Sequence, residues 1–141
     1  VARGQQMLRI DRETETAISS RIRAEILAGL ERTSAKARGA VLVDYGKGML
    51  PRAFSRSLIG RFTRAEIPVA VDPKHDLIGY RGASLVKPNR AEAARLVGAP
   101  ETAVGDSLQL IDRLRVRVPG ADLAITEGAG GMTIAEAGIG Q

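Results

Sequence analysis

At 141 residues the chain has the length of about one domain, and 44% hydrophobic with 26% charged residues is the balance of a globular protein rather than a disordered one. The absence of cysteine excludes disulfides, thiolate zinc sites and a cysteine nucleophile. A net charge of +5 would suit a polyanionic partner, but the arginines are spread through "RIRAEILAGLER" and "IDRLRVRV" among acids, and only 3% of residues are aromatics that could stack on bases. The expectation is therefore solvated helix faces and no nucleic acid.

In chain order, "QMLRI" predicts a strand over residues 6–10, and Ile18, Ile22, Ile26 and Leu30, with Leu27 beside them, predict a one-sided apolar helix over about 14–32. "AVLVD" predicts a strand over 40–44. Pro51 opens a helix running to about Glu66, and "PVAVD" follows as a strand over 68–72, closing a βαβ unit. "ASLVKPN" predicts a short strand stopped by Pro88. "RAEAARLVG" then predicts a helix of at most three turns, with Gly98 as its end signal. Beyond Pro100, Val104, Leu108, Ile111, Leu114 and Val118 mark another helix. It leads to strands over 122–126 ("DLAIT") and 132–136 ("MTIAE"), joined sharply by "EGAGG". No apolar run is long enough to span a bilayer, and "VARGQQMLRI" lacks the apolar core of a signal peptide, so the expected location is cytoplasmic, with no membrane.

This alternation predicts an α/β fold, a mostly parallel sheet with helices on both faces, whose ligands sit beyond the carboxyl ends of the strands. Asp44, Asp72, Asn89 and Thr126 each follow an apolar strand. Four strand ends would thus present polar groups along one edge of the sheet.

Each motif at that edge carries a chemical and a plain structural reading. In "DYGKG", two glycines let the backbone approach a ligand closely, and Lys47 could meet a phosphate; equally, Asp44 could cap a neighbouring helix and Lys47 be solvated. "VDPKHD" repeats the pattern with Asp72 and Lys74. His75, the sole histidine, reads as a surface loop residue. Asn89 is a strong N-cap residue, and Glu92 three positions on completes a capping-box spacing. The same two oxygens could order water around a Mg²⁺ bridging nucleotide phosphates. After Thr126, Gly128, Gly130 and Gly131 could cradle a phosphate or simply make a turn. The run is neither a P-loop nor a dinucleotide fingerprint.

In their order, "RGQQMLRIDRE", "VLVDYGKGML", "VAVDPKHDLIGYRGASLVKPNRAEAARLVG" and "LAITEGAGGMTI" resemble the ribokinase-type (PfkB) carbohydrate kinases, and closely the heptose 7-phosphate kinase domain of ADP-heptose synthesis. The likeness spans nearly the whole chain. It implies an enzyme that moves the γ-phosphoryl of ATP, with Mg²⁺, to the anomeric hydroxyl of heptose 7-phosphate, a step toward the lipopolysaccharide core. The N-x-x-E match implies Asn89 and Glu92 at the Mg²⁺ and phosphate position, Glu92 acting through water. The glycine turn implies Thr126, Gly128 and Gly131 near ATP. On the sugar-phosphate side the resemblance suggests Gln6, Arg9, Asp44, Lys47, Asp72 and Lys74, with Arg9 and Lys47 the cationic candidates.

Two parts of the family pattern have no counterpart in these residues: an N-terminal di-glycine sugar-binding motif, and a later G-A-G-D motif supplying the general-base Asp and an anion hole. Phosphoryl transfer rests on positioning and charge stabilisation. The resemblance therefore implies the central part, residues 1–141, of one ribokinase-like kinase domain, inactive alone, with the intact protein a candidate homodimer. The alternatives are another ribokinase-type sugar or nucleoside kinase and, from a different class, a basic α/β module that binds nucleic acid.

Overall fold

The computed structural model describes residue 12, residues 15–99 and residues 105–138. The strand expected over 6–10, with Gln6 and Arg9, and Val104 of the later helix lie outside the described residues. Five strands form one sheet in the order β1 (Ala40–Val43), β2 (Val69–Asp72), β3 (Leu85–Val86), β4 (Asp122–Thr126) and β5 (Met132–Ala135). The first four are parallel and β5 returns antiparallel to β4, as the sharp glycine link predicts. Helix α1 (Ser20–Thr33) precedes β1, α2 (Arg52–Arg64) joins β1 to β2, and α3 (Arg90–Val97) and α4 (Ser107–Arg117) join β3 to β4.

Helix α1 starts later than its apolar spacing suggests. Ser19 is the N-cap, its hydroxyl accepting the Ile22 N–H at 3.3 Å, so the turn begins only beyond it. Pro51 is likewise the N-cap of α2 rather than its first helical residue. Gly98 ends α3 in the left-handed conformation at φ 73°, which a residue without Cβ adopts without steric cost.

The core lies on one face of the sheet. Register aligns Leu42 with Val71, Val71 with Val86 and Val86 with Leu123. Val71, Val86 and Leu123, with Val69 and Ile125, meet Phe54, Leu58, Ile59 and Phe62 of α2, Ala93 and Leu96 of α3, and Leu110, Ile111 and Leu114 of α4 in one buried cluster, and half-buried Leu42 packs against it. Side chains alternate across a strand, so Val41, Val43, Ala124, Met132 and Ile134 belong to the other face. There Val41 is 70% and Ile134 64% exposed, and Ala124, though buried, stands outside the cluster. Among the described residues the helices therefore pack on a single face, and the second helical layer expected from the alternation is not seen. Sequential strand order explains this: right-handed crossovers that advance in one direction deliver every connecting helix to the same side. Helix α1 contributes Ile26, Leu27 and Leu30 to the rim of the same core, but none of its residues is buried. No helix among the described residues is long and apolar enough to cross a membrane.

Candidate active site

Parallel pairing places the carboxyl ends of β1 to β4 along one edge, and there Asp44, Tyr45, Asp72, Lys74, Lys87, Asn89, Glu92 and Thr126 line a cleft of about 230 Å³. Asn89 and Thr126 pair as a parallel bridge, and the Thr126 N–H donates to Pro88 O at 3.1 Å. The end of β4 and the start of α3 are thereby fixed side by side.

At the α3 terminus both halves of the capping box form. The Glu92 N–H donates to Asn89 Oδ1 at 2.8 Å, and the Asn89 N–H donates to Glu92 Oε2 at 3.0 Å. The other Glu92 oxygen, Oε1, accepts Lys74 Nζ at 2.9 Å. Burial pushes the Glu92 carboxyl upward, but the Asn89 N–H and the Lys74 ammonium outweigh it and hold the group below the usual carboxylate range. A buried carboxylate thus stays ionised at neutral pH.

A second ion pair lies beside it: Lys87 Nζ stands 3.1 Å from Asp72 Oδ2. The pair follows from register. Val71 and Val86 are partners, so Asp72 and Lys87 come next on adjacent strands. Sequence reasoning missed Lys87, although its position just beyond a parallel strand, opposite an expected site aspartate, could have found it.

Asp44 is held from two sides. Its Oδ1 accepts the Gly46 N–H at 2.8 Å and its Oδ2 accepts the Tyr80 hydroxyl at 2.8 Å. Burial first, then the bond to Asp44, push the Tyr80 phenol far above its ordinary value. Tyr80, another residue absent from the expected set, supports the cleft from the core beneath it. Gly46, at φ 71°, lies against the His75 ring, where a Cβ would stand 2.8 Å from Nε2.

Not every expected residue converges on the cleft. Lys47 is bonded to Glu15 at 3.0 Å and is not part of the lining. Gly128 and Gly131 sit in the β4–β5 turn, outside the lining, and the turn closes on itself. The Glu127 N–H donates to Gly131 O, the Gly130 N–H to Glu127 O, and the Gly131 N–H to Gly128 O. A salt bridge of 3.6 Å from Arg90 to Glu127 ties this turn to α3.

No family model matches the chain. It is 42% identical over 132 residues to the bifunctional protein HldE of Caulobacter vibrioides, covering 92% of this chain and 27% of that protein. It is 38% identical over 138 residues to HldE of Paramagnetospirillum magneticum, covering 94% and 28%. The chain thus spans little more than a quarter of the length of these curated relatives. Among solved structures it matches the tetrameric inhibited form of phosphofructokinase-2 from Escherichia coli at a TM-score of 0.64 and 21% identity. That match covers 86% of this chain and 41% of the other, and it shows the fold to be ribokinase-like.

Proposed function

We propose that this chain, a PfkB-type carbohydrate-kinase segment related to HldE, is the nucleotide-phosphate part of a kinase that phosphorylates the anomeric hydroxyl of heptose 7-phosphate in the cytoplasm. The observation that carries the reading is the Asn89–Thr126 pairing. It joins the capped start of α3 to the end of β4, so the oxygens expected to hold a cation and those expected to meet ATP share one cleft with two lysines.

The donors suit Mg²⁺. They are hard oxygens of Glu92, Asn89 and Thr126, and Glu92 is an ionised carboxylate. Among the described residues no group of three acidic or histidine side chains could cage a metal alone. Water and phosphate oxygens would complete the shell, as is usual for this ion. Bound there, Mg²⁺ would neutralise charge on the bridged phosphates. In this reading Asn89 and Glu92 orient its water, Thr126 adjoins the triphosphate, and the turn at Gly128 and Gly131 lies on the nucleotide side. Lys74 and Lys87 offer ammonium groups to phosphate oxygens. Asp44, rigidly held by Tyr80 and the Gly46 N–H, faces the acceptor sugar with Asp72, and Gln6, Arg9 and Lys47 belong to the sugar-phosphate side.

The test is calorimetric titration of the full chain with Mg·ADP, alongside Glu92→Gln. Binding in the native chain that weakens at least about tenfold in the variant is expected. No binding by the native chain overturns the reading. Phosphorylation of heptose 7-phosphate is expected from a longer polypeptide that contains this chain and not from the chain alone.

A further inference from the structure

Capping of α3 needs only one of the two Glu92 oxygens. Oε2 meets the Asn89 N–H, and Oε1 turns to Lys74. The two ends of this ion pair are held unequally: the Glu92 side chain is 9% exposed and fixed by the capping box, whereas the Lys74 side chain is 38% exposed. Lys74 follows Pro73, whose ring is buried, while the Lys74 side chain itself reaches partly into solvent. The ammonium is thus the end of the pair that can leave.

We propose that Lys74 is a built-in counter-ion of Glu92, which a hydrated divalent cation must displace and which then turns to the phosphates arriving with that cation. The inference rests on the functional reading above and adds a rule to it. A dication reaching Glu92 alone would strand a positive ammonium beside it, and like charges at this separation repel. When a polyphosphate enters with the cation, the displaced ammonium gains an anionic partner in the same cleft. Lys74 therefore couples the two ligands, so that cation and polyphosphate bind together and each raises the affinity for the other by the same factor. The neighbouring Lys87–Asp72 pair has both members more than a third exposed and exerts no comparable hold.

The probes are Mn²⁺, followed by electron paramagnetic resonance, and ADP, each titrated alone and together into the full native chain, Lys74→Met and Lys74→Gln. In the native chain, saturating ADP should tighten Mn²⁺ binding by about tenfold or more. In both variants Mn²⁺ alone should bind about fivefold tighter than in the native chain, and the coupling with ADP should fall below about threefold. If native and variant chains bind Mn²⁺ with equal affinity and equal coupling, the counter-ion role is overturned while the functional reading stands. If the native chain binds Mn²⁺·ADP not at all, the functional reading falls and takes this inference with it. The two variants remove the charge with different polarity, and Lys74 is partly exposed, so a folding defect shared by both would itself contradict its displaceable role.

Discussion

Leu123 and Val41 are aliphatic residues of the same sheet, yet the first is fully buried and the second is 70% exposed. Leu123 lies on β4, between β3 and β5, and faces α3 and α4. Val41 lies on β1, which is an edge strand among the described residues, and faces away from the helices. The same contrast separates the helices. Helix α4 sends Leu110, Ile111 and Leu114 into the core, while α1 buries none. The inner strands with α3 and α4 therefore hold the fold, and the flank of α1 and β1 is carried by it. The cleft is built where the two regions meet. Its fixed groups, Asn89, Glu92 and Thr126, come from the inner region. The flank contributes Asp44, which needs Tyr80 from the core to hold it.

The sharpest test of this contrast is Leu123→Ala against Leu30→Ala in urea unfolding. Burial without a solvent path predicts a loss of about 2 to 5 kcal/mol for the first. For Leu30, half-buried on α1, less than about 1 kcal/mol is expected, because little apolar area returns to water. Equal losses would show that the flank is as much part of the core as β4.

Glycines extend the comparison to the backbone. At Gly48, φ is 77° and a Cβ would lie 2.2 Å from the Thr16 carbonyl oxygen, a contact between the cleft loop and the segment leading into α1. At Gly98 the φ is similar, 73°, but nothing lies within 4 Å. Thermal unfolding of Gly98→Ala should show only the left-handed penalty of about 1 kcal/mol. Gly48→Ala should exceed it, since backbone must also shift. If the two match, the loop yields freely and the flank is looser than its contacts suggest.

The smallest effect concerns the link between the regions, the Tyr80–Asp44 bond. The phenol is raised in the folded state, so its contribution is fully present below the ordinary phenol value near pH 10 and is lost as the pH rises through the folded value. Stability measured from pH 8 upward should therefore decline above about pH 10. Tyr80→Phe should flatten that decline while costing about 1 kcal/mol at neutral pH. An unchanged alkaline limb in the variant would remove Tyr80 as the strut beneath Asp44.

The strand and helix succession was readable because its signals are local. Short apolar runs, Pro51, Pro88 and Gly98 each constrain the chain within a few residues, and the described elements other than α1 fall within a few positions of expectation. Apolar spacing alone places the start of α1 too early, because the cap at Ser19 sets where the helix begins. The Asn89–Glu92 spacing announced a helix start and an oxygen pair at once, and the structure contains the capping box the letters suggest. Lys87 and Tyr80 were less visible, because their importance depends on which residue stands across a neighbouring strand or above a buried ring.

By itself the sequence determined the class of fold, the order of its elements and the polar character of four strand ends, since propensity, turn chemistry and side-chain alternation act over short distances. Only the tertiary structure decided that the helices share one face, that the Lys74 ammonium occupies the second oxygen of Glu92, and that Lys87 stands against Asp72. Those outcomes depend on crossover handedness and strand register, which bring together residues far apart in the chain, eighteen positions in the Lys74–Glu92 pair alone. No local pattern encodes that distance.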